Sequence, residues 1–173
     1  MNSKFFNMIP NFHLQQAVIV LFVSLFCLNA WADTPGKTGQ TAPDFQLKTL
    51  SGDTVQLSRL VRRGPVMLVF YETQCVYCFS HISEFNALHD RYHDKGLTIL
   101  AINYVGEYLT DIRNYARDNG LKYTVITDKI ASIDVAEAYH VVGSPTIVVV
   151  DTHGKIVFYG YRLPPDISKW LRT

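Results

Sequence analysis

The sequence predicts a three-layer α/β domain, with a mixed central sheet, helices on both faces and a β-hairpin leading into it. Three observations carry this reading. Two continuous apolar runs, 66–71 and 97–102, are each followed by a segment of helical periodicity, which implies right-handed crossovers and parallel pairing. Two later apolar runs, Pro145–Val150 and Ile156–Tyr161, flank the turn Asp151–Gly154 and add antiparallel strands. Near the start, Phe45–Leu47 and Thr54–Leu57 alternate apolar and polar residues about Ser51–Asp53, the pattern of a short hairpin.

The remaining elements come in order along the chain. Gly64-Pro65 bounds the first buried strand, Val66–Tyr71. Cys78, Ile82, Phe85, Leu88 and Tyr92 then recur every three to four residues and predict one helix, closed by Gly96. Residues 108–119 form an amphipathic helix with Leu109, Ile112, Tyr115 and Ala116 on one side, stopped by Gly120. A short strand at Tyr123–Ile126, a short helix at Ile133–Tyr139 and a last helix near Pro165–Arg172 complete the order: hairpin, then β-α-β-α-β-α-β-β-α. There is no internal repeat and no low-complexity tract.

The front of the chain reads differently. Lys4 is the only Lys, Arg, Asp or Glu before Asp33, and it precedes the apolar run Ala17–Leu28 and the small-x-small pattern Ala30-Trp31-Ala32. Residues 1–32 therefore read as an export signal cleaved after Ala32, with an uncleaved membrane anchor as the alternative. Lipidation at Cys27 is disfavoured by Phe26, where a modified cysteine has a small residue before it. Residues 33–42, rich in Gly, Thr and Pro, read as a flexible leader, and residues 43–173 as the domain.

The chain carries 16 Lys and Arg against 15 Asp and Glu. Loss of Lys4 with the signal brings the two into balance, which argues against nucleic acid or an anionic membrane surface as partner. With 48 % hydrophobic residues, the chain can build one ordinary core. Of its three cysteines, only Cys75 and Cys78 remain once the signal is gone, and export places this pair where disulfides persist.

Cys75-Val76-Tyr77-Cys78 lies where the first buried strand gives way to a helix. Unpaired backbone N–H groups and the positive end of the helix dipole favour a thiolate on the first sulfur, and the second lies one turn further on. A redox-active pair is the leading reading, with metal binding and an inert bridge as alternatives. Closing so short a loop removes only about 2 kcal/mol of unfolded-state entropy. Cys75, Cys78 and His81 offer three metal donors, but no further pair completes a four-coordinate site, and none is expected. Phe79 stands where a c-type haem attachment needs histidine. Glu72 is a candidate carboxylate beside the thiols, although its strand alternation also suits a solvated face. His81, three residues past Cys78, is a neighbour on a helix and a candidate proton-exchange partner; the plain alternative is a solvated histidine. Tyr77, between the cysteines, has little core to enter and reads as part of a docking surface. His89, His93, His140 and His153 are read as carrying no recognisable spacing. Gly143-Ser144-Pro145-Thr146 opens a strand, where proline has a positional meaning; an ordinary trans turn proline is the plain reading from the residues alone.

Ala42–Phe45, the Thr73-x-Cys75-x-x-Cys78 segment, Gly96–Ile102, and Val141–Thr146 with Asp151-x-x-Gly154-Lys155-Ile156 together resemble exported thioredoxins of the TlpA/ResA type, over nearly the whole chain after residue 32. The resemblance implies a thioredoxin fold and thiol–disulfide exchange with exported proteins, in the reducing direction. It further implies Cys75 as attacking thiol, Cys78 as resolving thiol, and Pro145 as a cis proline beside them, with Ser144 pairing strand-fashion with a substrate. A membrane electron donor, no bound cofactor and a monomeric state are expected with it. The chain departs from the family pattern at Gln74 (usually Trp), Val76-Tyr77 (commonly including Pro) and His81 (often Glu). Val69 stands where cytoplasmic thioredoxins bury an Asp. Two other functions are conceivable on this fold. Copper handling would use both thiolates and a histidine. A peroxiredoxin needs Thr three residues before its cysteine, a place held here by Glu72 for Cys75 and by Cys75 for Cys78.

Overall fold

Strand β3 (Val66–Tyr71) is buried at every residue and sits at the centre of a five-stranded sheet. The computed structural model describes residues 38–171; the expected export signal (1–32), residues 33–37 of the expected leader and the last two residues lie outside the described residues. Ahead of β3 come the antiparallel hairpin β1 (Gln46–Lys48) and β2 (Thr54–Gln56), with Leu47 opposite Val55, and helix α1 (Leu57–Leu60). After it come α2 (Val76–Ser80), α3 (Ile82–Tyr92), β4 (Thr98–Asn103), α4 (Leu109–Asp118), β5 (Thr124–Ile126), α5 (Lys129–Ala138), β6 (Thr146–Val150) and β7 (Ile156–Gly160). The sheet order is β5-β4-β3-β6-β7. β3, β4 and β5 are parallel, while β6 and β7 run antiparallel to their neighbours.

Alternation along β3 divides the core into two layers. Leu68 and Phe70 point to the face that packs with Phe45, Leu47, Leu57, Val135 and Tyr139. Met67, Val69 and Tyr71 point to the face covered by Phe85, Ile112 and Ala116, and both cysteines belong to that second layer. Each fully buried Leu, Ile or Phe contributes about 1.5–3 kcal/mol relative to leaving it exposed. Before β3 and β4 the backbone crosses itself at two glycines. A Cβ on Gly64 would collide with the Gly96 carbonyl, and Gly96 itself adopts φ 94° after the 3-10 turn His93–Lys95.

Both sheet edges are covered, which protects them from pairing with other chains. At β5, Leu50 N–H donates to Val125 O (2.8 Å) and Thr127 N–H to Lys48 O (2.9 Å). At β7, Ile156 N–H donates to Gln40 O (2.9 Å) and Ala42 N–H to Gly154 O (2.8 Å). Residues 39–42, expected as part of a flexible leader, are thus tied by backbone hydrogen bonds to the β6–β7 turn and the start of β7.

Three local expectations are corrected. Leu57 ends no strand; it begins α1, because Asp44 Oδ1, 14 residues away, accepts the Ser58 N–H at 2.8 Å. The helix expected over 78–92 is two helices, broken at His81 (φ −99°, ψ 0°), whose N–H turns to Cys78 O at 3.3 Å. The Tyr77 carbonyl, robbed of its usual i+4 donor, is satisfied instead by the imidazole Nδ1 of His81 (2.7 Å) and the hydroxyl of Ser80 (2.9 Å). Over the described part of 165–172 there is only a 3-10 turn, Ser168–Trp170, opened by Asp166 accepting the Ser168 N–H and hydroxyl at 2.8 and 2.6 Å. A segment this short cannot repay helix nucleation. Ile167, 3 % exposed, anchors it to the core.

Candidate active site at the end of the central strand

The chain leaves β3 at Tyr71 and reaches Cys75 in four residues, with the Cys75 N–H returning to Glu72 O at 3.2 Å. Cys75 holds extended backbone angles (φ −77°, ψ 105°) immediately before α2, so its side chain lies at the mouth of the helix. Its Sγ accepts the Cys78 N–H at 3.0 Å. Cys75 and Cys78 form a disulfide with their Cα atoms 5.2 Å apart. Both cysteines are buried, at 9 % and 3 % exposure, whereas Val76, Tyr77 and Phe79 beside them are open to solvent. Tyr77 stays outside the core, as expected.

Antiparallel pairing places β6 against this junction. Phe70 pairs with Thr146, and continuing the register sets Ser144 opposite Glu72. The Ser144 hydroxyl donates to Glu72 Oε1 at 2.6 Å. The Ser144–Pro145 peptide is cis. Val142, two residues ahead of Ser144, is among the most exposed apolar side chains of the domain. Glu72, Ser144 and the cysteine loop are thus brought together.

His81 is not joined to them. Its Nδ1 is occupied by the Tyr77 carbonyl and lies 3.1 Å from Ser80 Oγ, so the side chain closes the α2–α3 break. Among the described residues, no group of three His, Cys, Asp or Glu gathers as metal ligands would. His89 and His93 do have a spacing the sequence reading overlooked. His89 lies in the last turn of α3 and His93 caps that helix one turn further on, with ring centroids 4.7 Å apart.

A second carboxylate grips the cysteine loop from the other side. Glu107 Oε1 accepts the Thr73 hydroxyl at 2.8 Å, and Oε2 accepts the Thr73 N–H at 3.0 Å and the Asn103 amide. The Glu107 N–H in turn donates to Asn103 Oδ1 at 3.2 Å. Asn103, 2 % exposed, ends β4 directly beside Tyr71. Neither Glu107 nor Asn103 was singled out from sequence; a polar residue ending an otherwise apolar strand was the available sign. The Tyr71 hydroxyl lies beneath this network, the one buried side-chain polar atom without a partner among the described residues. Burial, reinforced by Tyr115 and Glu107, pushes its pKa far up. Burial likewise pushes the pKa of Tyr115, stacked on Tyr71, up to about 12.

The arrangement can perform dithiol–disulfide interchange. One sulfur at a helix mouth is backed by a second within bonding distance, next to a strand end where a polypeptide can pair. The chain matches the AhpC/TSA family over residues 38–159. It is 30 % identical over 133 residues to the thiol–disulfide oxidoreductase ResA of Halalkalibacterium halodurans, covering 76 % of this chain and 73 % of the relative. The thioredoxin domain of a thiol–disulfide oxidoreductase from Bacteroides vulgatus superposes with TM-score 0.67 at 26 % identity, over 73 % of this chain and 90 % of that one. A thiol:disulfide interchange protein from a Bacteroides species gives 0.66 at 26 % identity, over 73 % and 82 %. The family match over residues 38–159, the 30 % identity to ResA and the disulfide-bonded Cys75–Cys78 pair place the chain in the AhpC/TSA family as a ResA-like thiol–disulfide oxidoreductase of thioredoxin fold.

Proposed function

We propose that the protein reduces disulfides in other exported proteins, with Cys75 attacking and Cys78 resolving, and takes its electrons from a membrane dithiol donor. The observation that carries the assignment of roles is the position of Cys75 at the mouth of α2, its Sγ accepting the Cys78 N–H. Backbone N–H donation stabilises a thiolate there. The Cys75 thiolate attacks one sulfur of a substrate disulfide. A mixed disulfide forms, and the other substrate sulfur leaves as a thiolate and takes up a proton. Cys78, after losing its proton, attacks Cys75 Sγ. The second substrate thiol is released, and the Cys75–Cys78 disulfide remains, to be reduced by the donor. The backbone at Ser144 offers a strand edge for the substrate segment around its cysteine, flanked by exposed Val76, Tyr77 and Val142.

Two features support the reducing direction. The charged groups fixed onto the 72–75 loop are both carboxylates, Glu72 through Ser144 and Glu107 through Thr73. Negative charge beside a sulfur disfavours its thiolate, and a couple whose thiolate is strongly stabilised is the oxidising kind. For an extracytoplasmic location the support is the apolar leader followed by Ala30-Trp31-Ala32. Among the described residues no helix is long and apolar enough to cross a membrane. Peroxide reduction needs a threonine hydroxyl where Glu72 stands, and that carboxylate is engaged with Ser144.

Cys75→Ser should abolish reduction of a disulfide-bonded test protein such as insulin, and Cys78→Ser should accumulate mixed disulfides with it. Trapping by Cys75→Ser instead would reverse the roles. Equilibration with glutathione tests direction: a reducing protein settles at or below about −220 mV, and a value near −120 mV would mark an oxidant.

A further inference from the structure

We propose that His89 and His93 form a second functional centre, a two-histidine site for a divalent transition ion of the Cu2+ class on the outer face of α3. The two are joined as one helical turn, the His93 N–H donating to the His89 carbonyl, so both side chains rise from the same face. Their ring centroids lie 4.7 Å apart, with planes inclined at 31°. An imidazole nitrogen about 2.0 Å from a metal puts its ring centroid about 3.2 Å from the ion. Two rings 4.7 Å apart then subtend about 95° at the ion. That is the angle between neighbouring ligands in a square or octahedral shell, and nitrogen and water ligands in such a shell select Cu2+ or Ni2+.

The surroundings favour a cation. The pair spans the last turn and C-cap of α3, where the backbone carbonyls give the helix its negative end. Asp90 and Asp94 both bear on His89. Of the nearby positive groups, Lys122 pairs with Asp90 at 2.6 Å while also bearing on His89, and Arg91 and Lys95 lie over the Tyr92 ring. His93 is exposed and His89 half-buried, so an ion can approach the pair from solvent.

The test uses the full chain with Cys75 and Cys78 oxidised, so that no thiolate competes. Cu2+ alone is titrated in by calorimetry at pH 7, and the complex is examined by electron paramagnetic resonance. One ion per chain with two equatorial nitrogens is expected. His89→Gln and His93→Gln should each weaken binding at least about tenfold, since losing even an outer-shell partner of a ligand costs that much. His140→Gln and His153→Gln should leave it intact. Binding that survives the double variant His89→Gln/His93→Gln, or a complex with one nitrogen, overturns the proposal. Disulfide exchange by the double variant is a separate readout, so failure here leaves the redox function standing.

Discussion

Glu107→Gln provides the sharpest test of the network behind the cysteine loop. The Glu107 carboxylate meets only donors: the Thr73 hydroxyl, the Thr73 N–H and the Asn103 amide. A glutamine keeps one oxygen for the Thr73 N–H and the Asn103 amide and sets its NH2 against the Thr73 hydroxyl, which can turn to accept it, so the charge on the acceptor is what is lost. Asn103 cannot flip to receive the NH2 instead without abandoning the Glu107 N–H, which its Oδ1 accepts at 3.2 Å. A hydrogen bond to a charged group is worth about 1.5–3 kcal/mol, and one between neutral groups about 0.5–1.5 kcal/mol. Because the site is only partly buried, losing the charge should cost about 1–2 kcal/mol. Urea denaturation of the oxidised protein, followed by far-ultraviolet circular dichroism, measures this directly. Thr73 lies two residues before Cys75, so the rate of insulin reduction should fall as well. A variant within about 0.5 kcal/mol of the parent, the range of an ordinary surface change, would falsify the view that this carboxylate anchors the loop.

Tyr71→Phe removes a buried hydroxyl that has no partner among the described residues, so it should stabilise the protein by about 1 kcal/mol; a loss of that size in thermal denaturation would show that the hydroxyl is paired. Burial works to raise the pKa of Asp44, but hydrogen bonds from the Ser58 N–H and the Gln56 amide outweigh it and the value is lowered. Its contribution is therefore present above the unfolded carboxylate value of about 3.9 and lost as pH falls through the lower folded value. The gap in midpoint between parent and Asp44→Ala should close in acid, and a pH-independent gap would mean that the carboxylate's charge plays no part. Gly64→Ala forces a Cβ into the Gly96 carbonyl; a cost of about 1–3 kcal/mol is expected, and an unchanged melting temperature would show that the crossing yields freely.

What the sequence determined by itself is what short-range pattern can carry. The buried runs of β3 and β4, the amphipathic α4, the β6–β7 turn at Asp151–Gly154 and the position of Cys75 ahead of a helix depend on residues within one element, where the period of side-chain direction is visible. Only the tertiary structure decided the rest, because the deciding partner is distant in the chain. Asp44 starts α1 from 14 residues away and Glu107 grips Thr73 across 34, while Ser144 meets Glu72 across 72. His81 shows the same limit at close range. Its spacing from Cys78 suggested a thiol partner, but the break between α2 and α3 leaves the Tyr77 carbonyl in need of a donor, and the imidazole supplies it. A buried or half-buried polar group must find a partner, and which one it finds depends on how β3, β4 and β6 are laid side by side.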